Sequence, residues 1–384
     1  MITNNELLDN NTTPEIVIRQ VDYDWLLQNS KKIDELALLQ KEPTPFASSS
    51  WLEAWWNVFS TNHQLLLLVV VNNDELVGFL PFMKTNVARV FTVLECLASG
   101  RSDHAPLLCK KGYEDAVFSN ASRFLRETYT NWDVISLRAL QDTQKEMLDM
   151  YFNLRPSFKV NDDVSPTLKI EGSWDDYLMG KSKKHRGNIR RLIRNAESID
   201  ELEVSLLNNI NNDLLKEVSE VERSSWKGTD GNLRISGSGY DFFMSALTEF
   251  SKKEMLELWT CRYKGQLVSY IITFSFAKSI YFYNGAYVAN YKDLHIPIKV
   301  SPGTLLIALA LKSAYDRNFI NFDFLRGDEA YKAEWAKDWR DLYQYVAPNK
   351  GIKAYLSFIV LFRLRWWLRE YPLAQKIWRF IQSN

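Results

Sequence analysis

An internal repeat of predicted elements is the feature that most constrains the fold of this chain. A strand, a turn and a second strand are indicated between Leu65 and Phe82 by an apolar run, an Asn/Asp turn and a second apolar run. The same order returns between Leu256 and Phe276, with Lys264-Gly265 as the turn. The dipeptide Leu-Val at 76–77 reappears at 267–268, an offset of 191 residues. The pattern predicts two similar hairpins.

A second landmark has nearly the same offset. A helical segment near 114–127 leads into a strand that contains Leu137-Arg138, and a helix over 304–317 leads into a strand that contains Leu325-Arg326. The two Leu-Arg pairs are 188 residues apart. Because chance matches have no reason to share an offset, we predict a duplicated α/β unit. Each copy is expected to be a mixed, mostly antiparallel sheet flanked by helices.

The length of the chain agrees with two such units. At 384 residues it exceeds the size at which a single core usually stops growing. Strand periodicity lapses between Gln141 and Pro166. We therefore predict one domain over residues 1–155, a second over 156–350, and a tail over 351–384.

Charge is balanced overall but strongly segregated. The chain has 47 basic and 47 acidic residues, with 46% hydrophobic residues, as in a packed globular protein. Lys181–Arg194 holds seven basic residues and no acid, and Gly351–Asn384 holds six basic residues against Glu370 alone. Two cationic segments on an otherwise acidic chain predict specific anionic partners; general affinity for nucleic acid is not expected.

The first cationic segment is predicted to be an amphipathic helix with a basic edge. Its apolar positions are Ile189, Leu192, Ile193 and Ala196, and its basic positions are Lys183, Arg186, Arg190 and Arg194. Such an edge is either a solvated helix face or an anion-binding face. In the second case Lys183, Arg186 and Arg190 are candidate substrate-binding residues.

The second cationic segment mixes Trp366, Trp367 and Trp378 with arginine and lysine, a combination typical of helices in a membrane interface. A helix docked on the protein, or a dimer contact, would have the same composition. The longest uncharged apolar stretch in the tail, Ala354–Phe362, has nine residues, about half of the ~20 that span a bilayer. We expect no transmembrane helix, and peripheral contact with an anionic membrane at most.

The compartment is predicted from the cysteines and the N-terminus. Cys96, Cys109 and Cys261 are widely spaced and odd in number, which fits neither a disulfide framework nor a zinc site. The polar, acidic first 15 residues lack the basic start and apolar core of a signal peptide. We expect a cytoplasmic protein, with the inner face of the membrane as the alternative location.

The start of the helix in the second copy is a candidate anion site. Ser301 is a plausible N-cap, Pro302 suits the first helical position, and Gly303 would let a ligand approach the backbone closely. The free N–H groups and the dipole of such a helix favour a phosphate at its start. An ordinary capped core helix is the alternative.

Several segments between residues 284 and 335 together resemble the C-terminal signature of one acyltransferase family. The matching segments are Asn284-Gly285-Ala286-Tyr287, Ser301-Pro302-Gly303, Phe322 to Glu329, Tyr331-Lys332 and Trp335. The family is the CelD-like branch of the GNAT superfamily, which is associated with cellulose or exopolysaccharide biosynthesis and related in fold to the FemABX peptidyltransferases. The aromatic residues around Trp51 and the basic helix resemble further family motifs. Two departures are Asn318, where the family commonly has glycine, and a longer segment before Ser301.

The resemblance implies tandem GNAT folds with an acyl-donor site in the second copy only. It places the pyrophosphate of an acetyl-CoA or other acyl-CoA co-substrate against residues Val300, Ser301, Pro302, Gly303 and Thr304. The acceptor would then attack the thioester directly, so the protein must orient the reactants, stabilise the oxyanion and remove a proton. No metal is implied.

Three residues are candidates for the chemistry. Asp323 alternates with two phenylalanines on a predicted strand, and is either a general base or a structural carboxylate. Tyr331-Lys332 resembles a Tyr/Phe-Lys element near the FemABX active site, which implies that Lys332 stabilises the oxyanion or binds a phosphate. Tyr331 would protonate the leaving thiolate, or serve in packing.

The remaining polar candidates lie in a loop and among the histidines. Asp328 and Glu329 are candidates for acceptor binding, with a solvated pair as the alternative. His185 has the only clearly polar sequence neighbourhood, whereas His63, His104 and His295 have no partner at catalytic spacing. The chain contains no nucleophile elbow, Walker loop, dinucleotide fingerprint or metal motif, so hydrolase, kinase and dehydrogenase functions lack support.

The sequence thus predicts an acyl-CoA-dependent N- or O-acyltransferase, with acetyl as the expected acyl group. Its acceptor would be an amino sugar, or a small-molecule or lipid-linked precursor of an envelope glycan or exopolysaccharide. A FemABX-like transferase that uses aminoacyl-tRNA is the first alternative, in which the basic helix would meet tRNA phosphates. A catalytically degenerate GNAT scaffold in polysaccharide synthesis is the second.

Overall fold

The computed structural model describes residues 16–364 except 88–89, 153, 155, 230, 232 and 290–300. The predicted donor residue Val300 and the tail beyond 364 lie outside the described residues.

Thirteen strands and thirteen α-helices are found in the described ranges. The strands are β1 (Ile16–Val21), β2 (His63–Asn72), β3 (Glu75–Val87), β4 (Phe91–Cys96), β5 (Leu108–Cys109), β6 (Val134–Leu140), β7 (Phe158–Lys169), β8 (Leu202–Leu207), β9 (Leu256–Tyr263), β10 (Gln266–Phe276), β11 (Ser279–Tyr287), β12 (Asn321–Asp323) and β13 (Asp338–Pro348). The helices are α1 (Tyr23–Gln28), α2 (Ser30–Leu38), α3 (Ser49–Phe59), α4 (Glu114–Glu127), α5 (Asp142–Met150), α6 (Trp174–Met179), α7 (Lys183–Glu197), α8 (Asn212–Arg223), α9 (Trp226–Thr229), α10 (Ser238–Lys252), α11 (Pro302–Asp316), α12 (Ala330–Trp335) and α13 (Ile352–Phe358).

The strands form one mixed sheet flanked by helices. Its order is β1-β2-β3-β4-β6-β13-β7-β12-β11-β10-β9-β8, and β5 pairs with β3 beside this path. Neighbouring strands are antiparallel except at β4 with β6 and β11 with β12, which are parallel. The predicted fold class, a mixed and mostly antiparallel sheet, is confirmed.

Both predicted hairpins are present, and local turn chemistry explains them. The β2–β3 turn places Asn73 and Asp74 at φ 46° and 66°, and the β9–β10 turn places Lys264 and Gly265 at φ 50° and 80°. Two successive left-handed residues make the type of turn whose twist matches that of a β-hairpin, and Asn, Asp and Gly adopt it most easily.

Each half then continues through a helix into a parallel strand. In the first half α4 leads into β6, which lies beside β4, and in the second α11 leads into β12, which lies beside β11. The helix predicted over 114–127 is found with those bounds. The strand predicted around Leu325-Arg326 is shorter than expected: it ends at Asp323, and Leu325 adopts φ 58°, which a strand does not tolerate.

The two halves are joined by exchanged strands and a shared aromatic core. Strand β7 lies between β12 and β13, and β13 lies between β7 and β6, so the last strand completes the sheet of the first half. Trp51 of α3 packs edge-on against Phe242 of α10 and Tyr283 of β11, at ring-centroid distances of 4.9 and 5.3 Å. The domain boundary at residues 155/156 stays a prediction.

The described part of the tail begins as a helix docked on the sheet. Phe358 of α13 packs against Val134 of β6 and Val346 of β13, and Lys353 Nζ lies 2.8 Å from Asp133 Oδ2. Residues Ile359–Leu364 continue as π-helical turns. Among the described residues, none of the helices is both long and apolar enough to cross a bilayer.

Candidate functional site

A cavity opens where two parallel strands of the second half separate. Strands β11 and β12 pair over only three residues, from Ser279 with Asn321 to Tyr281 with Asp323. Beyond that point Asn284 to Tyr287 of β11 and the loop after β12 diverge and line a cavity of about 890 Å³. A cavity of this volume accommodates a sizeable ligand.

The start of helix α11 forms one wall of this cavity. The helix begins at Pro302 with Ser301 in the N-cap position, as the sequence predicted, but the Ser301 side chain makes no capping hydrogen bond. Its hydroxyl instead lies 2.9 Å from Thr304 Oγ1. Ser301, Gly303 and Thr304 line the cavity, whereas Pro302 is buried and is not among the lining residues. The first turn holds no acidic residue, so no side chain of this turn offsets the positive end of the helix dipole.

Gly303 has a specific steric role at this helix start. A Cβ built on Gly303 would lie 3.1 Å from the ring of Tyr287 on β11. The missing side chain therefore keeps the space between the helix start and β11 open, as a ligand that approaches the backbone would require.

The equivalent place in the first half is closed. Strands β4 and β6 also pair over three residues and then separate, but the loop after β4 fills the opening and leaves a crevice of about 10 Å³. Leu97 and Ala98 of that loop are fully buried. Helix α4 carries Glu114 and Asp115 in its first turn, which would repel an anion.

Some predicted site residues meet in the cavity and others do not. Glu329, Tyr331 and Lys332 line the cavity together with the α11 start. Asp323 and the exposed Asp328 are not among its lining residues. Together with the predicted donor residues, the cavity thus unites six of the described candidates.

The predicted basic helix is confirmed as α7, but it lies outside the cavity lining. Lys183 is exposed, Arg190 Nη2 donates to Asp175 Oδ1 at 2.8 Å, and Arg186 Nη1 donates to the carbonyls of Met179 and Lys181 at 3.3 Å. Two of the three substrate-binding candidates thus have protein partners, and their contact with a substrate stays a prediction.

Lys332 stabilises the loop after β12 through hydrogen bonds to its backbone carbonyls. It is 3% exposed, and its Nζ donates to the carbonyl oxygens of Leu325 and Arg326 at 3.2 and 2.9 Å. Glu329 Oε2 lies 2.8 Å away as a counter-ion. An ammonium with these acceptors shapes the loop that forms the cavity wall.

Asp323 is held in a buried network beneath the cavity. Its Oδ1 accepts hydrogen bonds from Ser165 Oγ at 2.7 Å and from the Leu325 N–H at 2.8 Å. His104 Nε2 of the first half lies 3.8 Å and Arg340 Nη1 3.6 Å from Oδ2. Sequence spacing gave His104 no partner because the two residues are far apart in the chain. Burial lowers the pKa of His104, so this imidazole is neutral at pH 7.

Sequence reasoning missed the most distinctive basic group of the cavity, Lys227 on α9. Its Nζ donates to Asn284 Oδ1, and Asn284 Nδ2 donates to Glu222 Oε1 at 3.0 Å and to the Tyr270 hydroxyl oxygen at 3.1 Å. Glu222 is fully buried, and its Oε2 accepts from the Ile235 N–H at 2.7 Å. Because a carboxylate only accepts, it fixes the Asn284 amide so that its oxygen faces Lys227.

The electrostatic surroundings of Lys227 make it a basic group near neutral pH. Its pKa is lowered to about 8, chiefly by burial; Arg234 and Lys332 also lower the pKa, and Glu222 and Glu329 oppose the shift. A lysine with such a pKa is partly unprotonated in solution near pH 7 to 8 and can take up a proton. No motif marks Lys227 in the sequence, since its partners come from α8, β10 and β11.

Tyr331 presents a protonated phenol to the cavity. Its side chain is 38% exposed and contacts the edge of Phe282, at a ring-centroid distance of 6.3 Å. Burial and the nearby Glu329 raise its pKa, so the phenol keeps its proton at neutral pH. Over the described ranges, His, Cys, Asp and Glu form no group of three that could hold a metal ion.

Comparisons with known proteins identify the fold. Residues 183–333 match the family model described as an acetyltransferase (GNAT) domain. This match includes β8 to β12, helix α11 and the cavity-lining residues Lys227, Tyr331 and Lys332. None of the curated proteins compared with the chain matches it significantly in sequence.

Solved structures share the fold at low sequence identity. The crystal structure of FemX is 11% identical, covers 90% of this chain and 99% of its own, and has a TM-score of 0.62. A second structure is the C-terminal domain of a putative lysylphosphatidylglycerol synthetase from Agrobacterium fabrum. It is 10% identical, covers 87% of this chain and 95% of its own, and has a TM-score of 0.53. L-PGS from Bacillus licheniformis is 13% identical over 85% of this chain and 98% of its own, with a TM-score of 0.50.

At such identities these structures show the fold alone, and the narrower CelD-like resemblance stays a prediction. The duplicated topology, the separating strands β11 and β12 and the family match agree with one another. The chain therefore has a GNAT-type fold, and its residues 183–333 match an acetyltransferase (GNAT) domain.

Proposed function

We propose that this chain is an acyl-CoA-dependent N- or O-acyltransferase whose second half binds the donor, with acetyl-CoA as the expected form. The observation that carries the proposal is the cavity at the separation of β11 and β12, which reaches the start of α11, where the first turn holds no acidic residue. A helix start of this kind stabilises a phosphate through its free N–H groups. The closed opening in the first half supports one donor site per chain.

The cavity residues supply the proton transfers for direct acyl transfer. The acceptor nitrogen or oxygen forms a bond to the thioester carbonyl carbon, and the carbon–sulfur bond breaks. Lys227 Nζ takes the proton that the acceptor loses, and the Tyr331 phenol gives a proton to the leaving thiolate. In this proposal Asp323 is a structural carboxylate and not the base, because it is held in the buried network beneath the cavity.

The acceptor is proposed to be an amino sugar or another precursor of an envelope glycan or exopolysaccharide. Trp226 and Tyr331 are 46% and 38% exposed, and both line the cavity. Aromatic faces combined with polar groups suit a sugar, whose ring presents both C–H and hydroxyl surfaces. With such an acceptor, the protein would act in the cytoplasm. It would act at the inner membrane face if the acceptor is lipid-linked.

A second candidate donor is aminoacyl-tRNA. The overall similarity to the FemX fold and the exposed cationic edge of α7, with Lys183, Lys184 and Arg194, favour this alternative. The open cavity argues against the third possibility, a degenerate scaffold with a filled donor site.

Donor-dependent transfer tests the proposal. The protein is incubated with a panel of amino sugars and either radiolabelled acetyl-CoA or radiolabelled aminoacyl-tRNA, and labelled sugar is separated and counted. Label from acetyl-CoA that depends on Lys227 is the expected result. Label from aminoacyl-tRNA alone would replace the donor, and no label from either donor would contradict an enzymatic role on amino sugars.

A further inference from the structure

A loop of the first half reaches into the cavity of the second. Arg101 and Asp103, from the loop between β4 and β5, line the cavity together with Arg234 and Arg326 of the second half. The loop that closes the first-half opening thus also supplies part of the lining of the cavity that holds the predicted donor residues.

Asp103 is a buried carboxylate that lacks a hydrogen-bond donor. It is 2% exposed, and its Oδ1 has no hydrogen-bond partner among the described residues. The nearest guanidinium atoms, Arg234 Nη2 and Arg326 Nε, are both 3.7 Å from Oδ1. Since a buried carboxylate without a donor is costly, the Asp103 carboxylate, which belongs to the cavity lining, is suited to accept a hydrogen bond from a ligand.

The same wall carries an excess of positive charge. The Arg101 guanidinium lies over the rings of Phe59 and Phe242, at 5.6 and 6.0 Å from their centroids, and donates to the Arg234 carbonyl at 3.1 Å. Within the described ranges no carboxylate lies within 4.0 Å of Arg101. Arg234 Nη1 is buried without a partner among these residues, and its guanidinium lies 4.9 Å from the Tyr283 centroid.

We propose that Arg101, Asp103 and Arg234 form an acceptor subsite for an anionic sugar. A sugar hydroxyl donates to the Asp103 carboxylate, and the acidic group of the same sugar, a phosphate or a carboxylate, pairs with the guanidinium groups of Arg101 and Arg234. The subsite rests on the proposed function for its role as the acceptor site. As a binding site it stands on the geometry alone.

Binding experiments test the subsite separately from turnover. Glucosamine 6-phosphate, glucuronic acid and uncharged glucosamine are titrated calorimetrically into the full chain, in the absence of a donor. Either anionic sugar is expected to bind about tenfold or more tightly than glucosamine, since charge-assisted hydrogen bonds are added. Comparison of the first two sugars distinguishes phosphate from carboxylate. Equal affinity for all three sugars would overturn the proposal.

Two variants and a control assign the residues. Asp103→Asn keeps the shape but replaces one acceptor oxygen by an NH₂ group, and Arg101→Met keeps the stem but removes the charge. Each is expected to weaken the anionic sugar about tenfold or more, while acetyl-CoA affinity and the melting temperature change little. The control Lys216→Met removes an exposed lysine of α8 that pairs with Asp213. Unchanged sugar affinity in both variants would overturn the assignment.

Failure of the proposed function gives a different result. If the chain binds no acetyl-CoA but holds the anionic sugar in an Arg101-dependent manner, the subsite is retained and the acyl-CoA donor is rejected. If acetyl-CoA binds and the anionic sugar does not, the subsite alone is rejected.

Discussion

Lys227 combines a position in the cavity with a lowered pKa and a fixed hydrogen-bond partner. Its replacement by methionine removes the amine but keeps most of the stem. We expect kcat/KM for acyl transfer to fall about 10²- to 10⁴-fold, the usual contribution of a general base. The control Lys216→Met, on the exposed face of α8, should retain full activity in the same assay.

The pH dependence of kcat/KM is a second test of Lys227 as the general base. Because the unprotonated amine is the active form and its pKa is about 8, kcat/KM should rise as pH increases from 6 to 8 and level off above. The acceptor's own titration is common to wild type and Lys227→Met, so the limb lost in the variant belongs to Lys227. Identical profiles for the two proteins would exclude it as the base.

Asp323 is expected to act on stability. Asp323→Ala leaves the Ser165 hydroxyl and the Leu325 N–H without their acceptor in a buried site, at a cost of about 1–3 kcal/mol for each group. Urea unfolding should therefore show a marked loss, whereas Asp328→Ala, at an exposed loop position, should unfold like wild type. Full stability with lost kcat would instead make Asp323 the base.

At the scale of elements, local sequence patterns predicted individual hairpins and helices, whereas contacts between distant segments could not be predicted. The hairpins, α4, α7 and the start of α11 follow from periodicity, turn residues and caps within short windows. The contact of His104 with Asp323, and the Lys227–Asn284 bond, join segments far apart in the chain. A single sequence holds no signal for such pairs, so Lys227, the residue proposed as the general base, could not be named from it.

The tail is explained either as a helix in a membrane interface or as a helix docked on the protein, and helix α13 shows features of both. Its docked residue Phe358 packs on the sheet, while Ile352 and Leu356 are 81% and 52% exposed. We predict that removal of residues 365–384 abolishes flotation with liposomes of anionic lipid and leaves the melting temperature unchanged, because Phe358 and Lys353 keep their contacts. Equal flotation of the shortened chain would reject the tail as a membrane anchor.

At the scale of the whole molecule, the duplication has produced two unequal copies. Both copies contain parallel strands that separate. Among the described residues, only the second has an open cavity at this separation, next to a helix whose first turn holds no acidic residue. The first copy instead supplies a loop to the wall of the second, and strands β7 and β13 join the two sheets into one. Two halves were predictable from the common offset. The exchanged strands were not, because strand order depends on long-range pairing.

Calorimetric titration with acetyl-CoA tests the single donor site most directly. Wild type should bind one acetyl-CoA per chain, and Gly303→Trp should bind none, because its side chain would fill the space between the α11 start and Tyr287. The matched control Gly187→Trp, on α7 with no atom within 4 Å of the added Cβ, should bind like wild type. Absence of heat with wild type, two sites per chain, or unchanged binding by Gly303→Trp would contradict a single donor site at this helix.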